Sequence, residues 1–126
     1  MRQPIVDFEV LSRIGGERRP YKAGEVIFKA GDTGSEFFVI RDGRVAVKVG
    51  DRTVETLGSS EIFGEMAIVD AKPRSATVVA ETDCVVVPMS EKQFLLMVRE
   101  APYFALAVMR VLAERLRVAN AELAAR

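Results

Sequence analysis

The 126-residue chain contains no histidine. That removes the side chain most used for proton transfer near neutral pH, and any histidine-containing metal site with it. The acidic residues do not cluster at metal-ligand spacings either, so neither a catalytic centre nor a metal is expected. A single cysteine excludes an internal disulfide and fits a reducing compartment. That residue, Cys84, falls in an apolar run, where a small buried thiol is the expected role. Charge of one sign is not in excess: 18 lysines and arginines meet 18 aspartates and glutamates. No basic surplus points to nucleic acid or to an acidic membrane. Arg110, Arg115, Arg117 and Arg126 share one helical stretch, for which a solvated face is the simplest account. No run approaches eighteen uninterrupted apolar residues, and Met1-Arg2-Gln3-Pro4 carries no export-type stretch. A cytoplasmic protein with no membrane segment is therefore expected. Internal repeats and low-complexity tracts are absent as well.

The length suits one domain with a moderate core. Over its first two thirds the chain alternates glycine-bearing turns with short runs of β-branched and aromatic residues, the pattern of strands. Phe37-Phe38-Val39-Ile40 is continuously apolar and fits a strand buried on both faces. Val45, Val47 and Val49 recur at period two, and Gly50-Asp51 then offers a hairpin turn into Thr53–Leu57. Thr77–Ala80 and Cys84–Val87 read as two more strands. Many short strands at near-regular spacing indicate a sandwich or a barrel.

From residue 90 the period lengthens to about 3.6. Ser90 and Gln93 form a capping box that opens a helix to about Glu100. Pro102 suits the first turn of a second helix, running from Tyr103 to about Leu123. Its apolar arc is wide: Ala105, Met109, Leu112, Leu116, Ala119 and Leu123 form one stripe, flanked by Phe104, Val108, Val111 and Val118. An arc of this width implies a second contact, with a ligand or a partner helix. The stripe also obeys a heptad, although two and a half heptads do not by themselves make a coiled coil.

The most informative stretch is Phe63–Thr77, FGEMAIVDAKPRSAT. Gly64 permits a tight bend or a close approach, having no Cβ. The turn that follows offers the unbonded N–H groups of a helix start, a main-chain way to hold an anion. Arg74 brings a planar fork suited to two phosphate oxygens. A carboxylate at Glu65 beside an anion site makes sense if it accepts from a sugar hydroxyl. Together these residues suggest a ribose and a phosphate.

This stretch resembles the phosphate-binding cassette of the cyclic nucleotide-binding domain family, in which the Gly-Glu pair and the arginine fall at this separation. Gly24-Glu25-Val26-Ile27-Phe28, Gly31-Asp32, Phe37–Ile40 and Asp42-Gly43 resemble the first strands of the same domain. The resemblance implies an α+β fold: an antiparallel β jelly-roll barrel with a short N-terminal helix, a short cassette helix and two C-terminal helices. The expected layout is one domain over 1–126, with a helical segment at 1–20, the barrel at 21–89, the cassette at 63–77, and hinge and lid helices at 90–126. Carried over by residue, Arg74 grips the cyclic phosphate and Glu65 accepts from the ribose 2′-OH. Backbone N–H groups near Gly64, Glu65 and Met66, with those of Ser75 and Ala76, hold the ribose-phosphate, and Val47 walls the base pocket.

Arg115 projects from the middle of the apolar arc, where a charge needs a reason; snorkelling over apolar surface is one. The resemblance supplies another, a lid helix that places Arg115 near Glu65 or the nucleotide and Asn120 near the base. Ser75 stands where the family's threonine accompanies guanine and its alanine adenine. Cyclic AMP is the expected ligand, with cyclic GMP weaker and no cofactor. The segment before the first strand is short, so a relay through a long N-terminal helical bundle is not expected. No helix-turn-helix follows residue 126, so direct DNA binding is not expected either. Three classes of function result. A regulatory module that closes its last helix over the nucleotide leads. Behind it come an interaction module with an empty pocket and, last, a phosphodiesterase-like enzyme. The output partner is left open between a second copy through the C-terminal helix and an effector protein.

Overall fold

The computed structural model describes residues 6–125. Pro4 and Arg126, which the sequence places in the first and last helical segments, lie outside them. A short helix α1 (Phe8–Arg13) starts at Asp7, whose carboxylate accepts from the N–H groups of Glu9 and Val10. The strands are β1 (Arg19–Tyr21), β2 (Val26–Phe28), β3 (Phe37–Asp42), β4 (Val45–Val49), β5 (Arg52–Leu57), β6 (Ile62–Phe63), β7 (Thr77–Ala80) and β8 (Cys84–Met89). A one-turn helix α2 (Met66–Val69) separates β6 from β7, and α3 (Glu91–Glu100) and α4 (Tyr103–Ala124) close the chain.

The strands form two four-stranded sheets, ordered β1-β8-β3-β6 and β2-β7-β4-β5, and every pair is antiparallel. The first strand pairs with the eighth, the second with the seventh, the third with the sixth and the fourth with the fifth. That is one long ribbon rolled on itself, the jelly-roll arrangement. The expected jelly roll is present, as an open roll of two facing sheets rather than a closed barrel. Among the described residues no ladder joins one sheet to the other. The edge strands of the first sheet are short, three residues in β1 and two in β6, and apolar side chains fill the space between the sheets. The first strand also begins at Arg19, slightly ahead of the expected start at 21.

The central strands β3 and β8 divide their side chains between two cores. Phe38, Ile40, Cys84 and Val86 point between the sheets, joined by Val45, Leu57, Phe63 and Val78. Phe37, Val39, Val87 and Met89 point the other way, onto Val10 and Leu11 of α1, Met97 of α3, and Phe104 and Val108 of α4. Period-two alternation thus meets apolar surroundings on both sides, which is why Phe37–Ile40 reads as unbroken apolar sequence. The buried Cys84 thiol is pushed up in pKa, first by loss of solvation.

A hairpin turn and a bulge shape the wall of the roll. Gly50, at φ +61, carries the β4–β5 hairpin where the sequence places it. In that hairpin Val47 lies opposite Glu55 but Lys48 lies opposite Thr53, leaving Val54 as an extra residue in a bulge. Ser90 and Gln93 make the full reciprocal capping box on α3. The buried residues of α4 are Phe104, Ala107 and Val108. The heptad stripe lies beside that face: Leu112 packs partly on the core, while Met109, Leu116 and Leu123 are exposed. From Leu116 to Ala125 every residue is exposed.

Candidate functional site

A cavity of about 190 Å³ lies against the inner face of the second sheet, bounded by the 63–76 stretch and by Arg115 of α4. Phe28, Val47 and Leu57 give it an apolar wall, and Glu55, Glu65, Lys72, Arg74 and Arg115 give it charge. Three cations thus face two carboxylates. Among the described residues no group of His, Cys, Asp or Glu side chains is arranged to hold a metal ion.

Arg74 is fixed at both its backbone and its tip. Its N–H donates to Asp32 O at 2.8 Å, and its carbonyl accepts from Gly31 N–H at 2.7 Å. Its guanidinium donates from Nη1 to Gly64 O at 3.0 Å and from Nη2 to Glu36 O at 2.7 Å. The same group lies 4.2 Å from the centroid of the Phe28 ring, a favourable cation–π distance. Desolvation lowers the Arg74 pKa, while Glu36, Asp32 and Glu65 oppose that shift through space. Among the described residues no carboxylate makes a salt bridge with it. Two glycines make this position possible. A Cβ on Gly64, whose φ is +77, would sit 2.9 Å from Nη1, and one on Gly34 would sit 2.6 Å from Nη2. The main chain at both positions approaches the guanidinium more closely than any other residue allows.

Glu65 follows at once. It is 5 % exposed, the one buried charged residue among those described. A carboxylate this dry is costly unless paired, and Arg115 pairs it. Arg115 Nη1 donates to Glu65 Oε1, and Nη2 donates to Ile62 O at 3.0 Å. The Nε of the same guanidinium lies 3.5 Å from Glu55 Oε1. The arginine in the apolar arc of α4 therefore docks that helix on β5, β6 and the head of α2. The first bond of the α2 turn runs from Ala67 N–H to Gly64 O at 3.2 Å, so the N–H groups of Glu65 and Met66 stand ahead of it.

Of the residues singled out from sequence, Val47, Gly64, Glu65, Met66, Arg74, Ser75, Ala76 and Arg115 all line one cavity. Asn120 is exposed and is not among the lining residues. Sequence reasoning missed Phe28, Gly34, Glu55 and Lys72. Glu55 carried a signal, since it sits two residues before the inward-facing Leu57 and is a charge at an inward register position. Gly34 carried none, because only the folded chain brings it to Arg74.

A family model described as "Cyclic nucleotide-binding domain" matches residues 18–101. The cyclic AMP receptor protein of Thermus thermophilus is 36 % identical over 112 residues, covering 85 % of this chain and 52 % of that protein. A cGMP-dependent protein kinase of Eimeria tenella is 38 % identical over 82 residues, covering 65 % of this chain and 8 % of the kinase. Among solved structures, the Thermus thermophilus catabolite activator protein superposes with a TM-score of 0.81 at 32 % identity, covering 96 % of this chain and 62 % of that one. The chain therefore spans about half of the first relative and a small part of the second.

Proposed function

The chain belongs to the cyclic nucleotide-binding domain family, and from that premise we propose that it is a non-catalytic regulatory module whose preferred ligand is cyclic AMP, with cyclic GMP weaker. The observation that carries this reading is Arg74: a partly desolvated guanidinium, stacked on Phe28 and bonded to two carbonyls, with no salt-bridging carboxylate among the described residues. Such a group favours an anion with two oxygens to offer. Three cations against two carboxylates in the lining suit a singly charged cyclic phosphate better than a doubly charged open one. In this reading Arg74 holds the phosphate, with the backbone at Gly64–Met66 and at Ser75–Ala76. The second oxygen of Glu65 accepts from the ribose 2′-OH, and Val47 with its apolar neighbours receives the base. Relatives named for either nucleotide support the class of ligand. Ser75 is intermediate between the threonine that accompanies guanine and the alanine that accompanies adenine, its hydroxyl reaching the phosphate or, less well, a guanine.

The output is movement of α4, which enters the site through Arg115. The exposed row Met109, Leu116 and Leu123 favours a second copy of the chain as its partner, an effector helix being the alternative. The same row supports the rival reading of an interaction module that binds no nucleotide. One experiment separates them: thermal denaturation with cyclic AMP, cyclic GMP and AMP, for wild type and Arg74→Ala. A ligand at a hundred times its dissociation constant stabilises by about 2.7 kcal/mol. Cyclic AMP is expected to stabilise most, cyclic GMP less and AMP least. Arg74→Ala is expected to bind roughly ten- to a hundredfold more weakly, the worth of a charge-assisted bond of about 1.5–3 kcal/mol. Equal melting with and without every nucleotide rejects the proposal.

A further inference from the structure

We propose that Glu55 is a positioning residue of this site: from β5 it holds the Arg115 guanidinium in the orientation that keeps the Glu65 carboxylate turned toward the ribose. This rests on the reading of Glu65 as the acceptor for the 2′-hydroxyl. A planar guanidinium held only at Nη1 and Nη2 can still rock about the line joining those two contacts. A third contact at Nε restrains that motion, and Glu55 Oε1 supplies it as an ion pair at 3.5 Å. The three contacts come from three separate segments: β5, the Ile62 carbonyl of β6, and Glu65 at the head of α2.

The placement of Glu55 is unusual for its strand. The next inward residue, Leu57, is fully buried in the core between the sheets, and the cross-strand neighbour Val47 packs against that core. A carboxylate in that row loses solvation and requires a cation. Arg115 answers that need from outside the sheet. The Val54 bulge lies immediately beside the Val47–Glu55 pair, and bulges next to binding sites commonly redirect the neighbouring side chain. Glu65 itself has almost no exposure, so its orientation depends on its partner rather than on water. Loosening Arg115 leaves Glu65 without a fixed direction, and recognition of the 2′-hydroxyl degrades first.

The test is isothermal titration of the full chain with cyclic AMP and with 2′-deoxy cyclic AMP. In wild type the deoxy ligand is expected to bind roughly ten- to a hundredfold more weakly, the range for one charge-assisted hydrogen bond. Glu55→Gln is expected to compress that ratio about fivefold or more, chiefly by weakening cyclic AMP. Arg115→Lys is expected to compress it similarly, because a point charge cannot hold three partners in one plane. Adding Glu55→Gln to Arg115→Lys is then expected to change the ratio no further. A Glu55→Gln ratio equal to wild type, including an equal loss for both ligands, overturns the proposal. So does a further compression in the Arg115→Lys background, which shows that Glu55 does not act through Arg115. A wild-type ratio near one instead overturns the Glu65–ribose reading and this inference with it. The two failures therefore appear in different proteins. Should Glu55→Gln fail to fold, an uncompressed ratio in Arg115→Lys alone still overturns the proposal.

Discussion

A guanidinium bonded to carbonyls and stacked on an aromatic ring keeps its charge free of a salt bridge, whereas a buried carboxylate clasped by an arginine does not. Arg74 is the first case and Glu65 the second, so the site has an attracting pole and a neutralised one within one short stretch of chain. The attracting pole depends on missing side chains. Gly64 adopts φ +77, and a Cβ there would meet Arg74 Nη1 at 2.9 Å. We expect Gly64→Ala to lower stability by about 1–2 kcal/mol through the left-handed backbone alone. It is also expected to weaken cyclic AMP by moving the guanidinium. Chemical denaturation and titration of the same sample check both, and retention of wild-type affinity removes Gly64 from the site. The local half of this arrangement was readable in sequence, since Gly64, Glu65 and Arg74 lie within eleven residues. Gly34 and the Phe28 ring were not, because only tertiary folding brings them to Arg74.

At the scale of elements, sequence reasoning succeeded where the cause is local and failed where it is not. The α3 capping box is written in Ser90 and Gln93 and appears with both reciprocal bonds. Ser90→Ala is expected to cost about 1 kcal/mol, read by thermal denaturation, while leaving nucleotide affinity unchanged because α3 contributes nothing to the cavity lining. A loss of affinity alongside that cost shows that α3 is coupled to the site. The β3 run and the Gly50 turn were readable for the same local reason. The two-residue β6 was not, since so short a strand has no period and exists through its pairing with Phe38 and Val39. The jelly roll was an expectation from resemblance and is present, whereas its separation into two sheets is encoded by no motif. For α4 the heptad stripe was correctly seen as apolar, but the buried face is the neighbouring one at Phe104, Ala107 and Val108.

Across the whole molecule, one sheet serves both cores, so helices and site share a rigid partition. Phe37 is on the helical side of it, with ring centroids 5.7 Å from Phe94 and 6.4 Å from Phe104. Phe37→Ala is expected to cost about 3–5 kcal/mol, a large share of the roughly 5–15 kcal/mol that holds a domain together. Urea denaturation measures it, and a cost below 1 kcal/mol contradicts the packing described. For association, sedimentation is expected to give about twice the 13.9 kDa chain mass for wild type and one chain for Leu116→Glu. A wild-type monomer at high concentration points the exposed row to an effector instead. The α4 helix also has a mechanical consequence. It is clasped near Phe104–Val108 and again at Arg115, and beyond that its described residues are all exposed. At 1.5 Å per residue, Arg115 lies about 14 Å from the first clasp and residue 125 about 28 Å from it. Any tilt that shifts Arg115 by a given amount sweeps the far end through about double that distance. In the proposed reading the pocket therefore acts on the short arm of a stiff lever, and a partner gripping the long arm would feel its occupancy at about twofold gain.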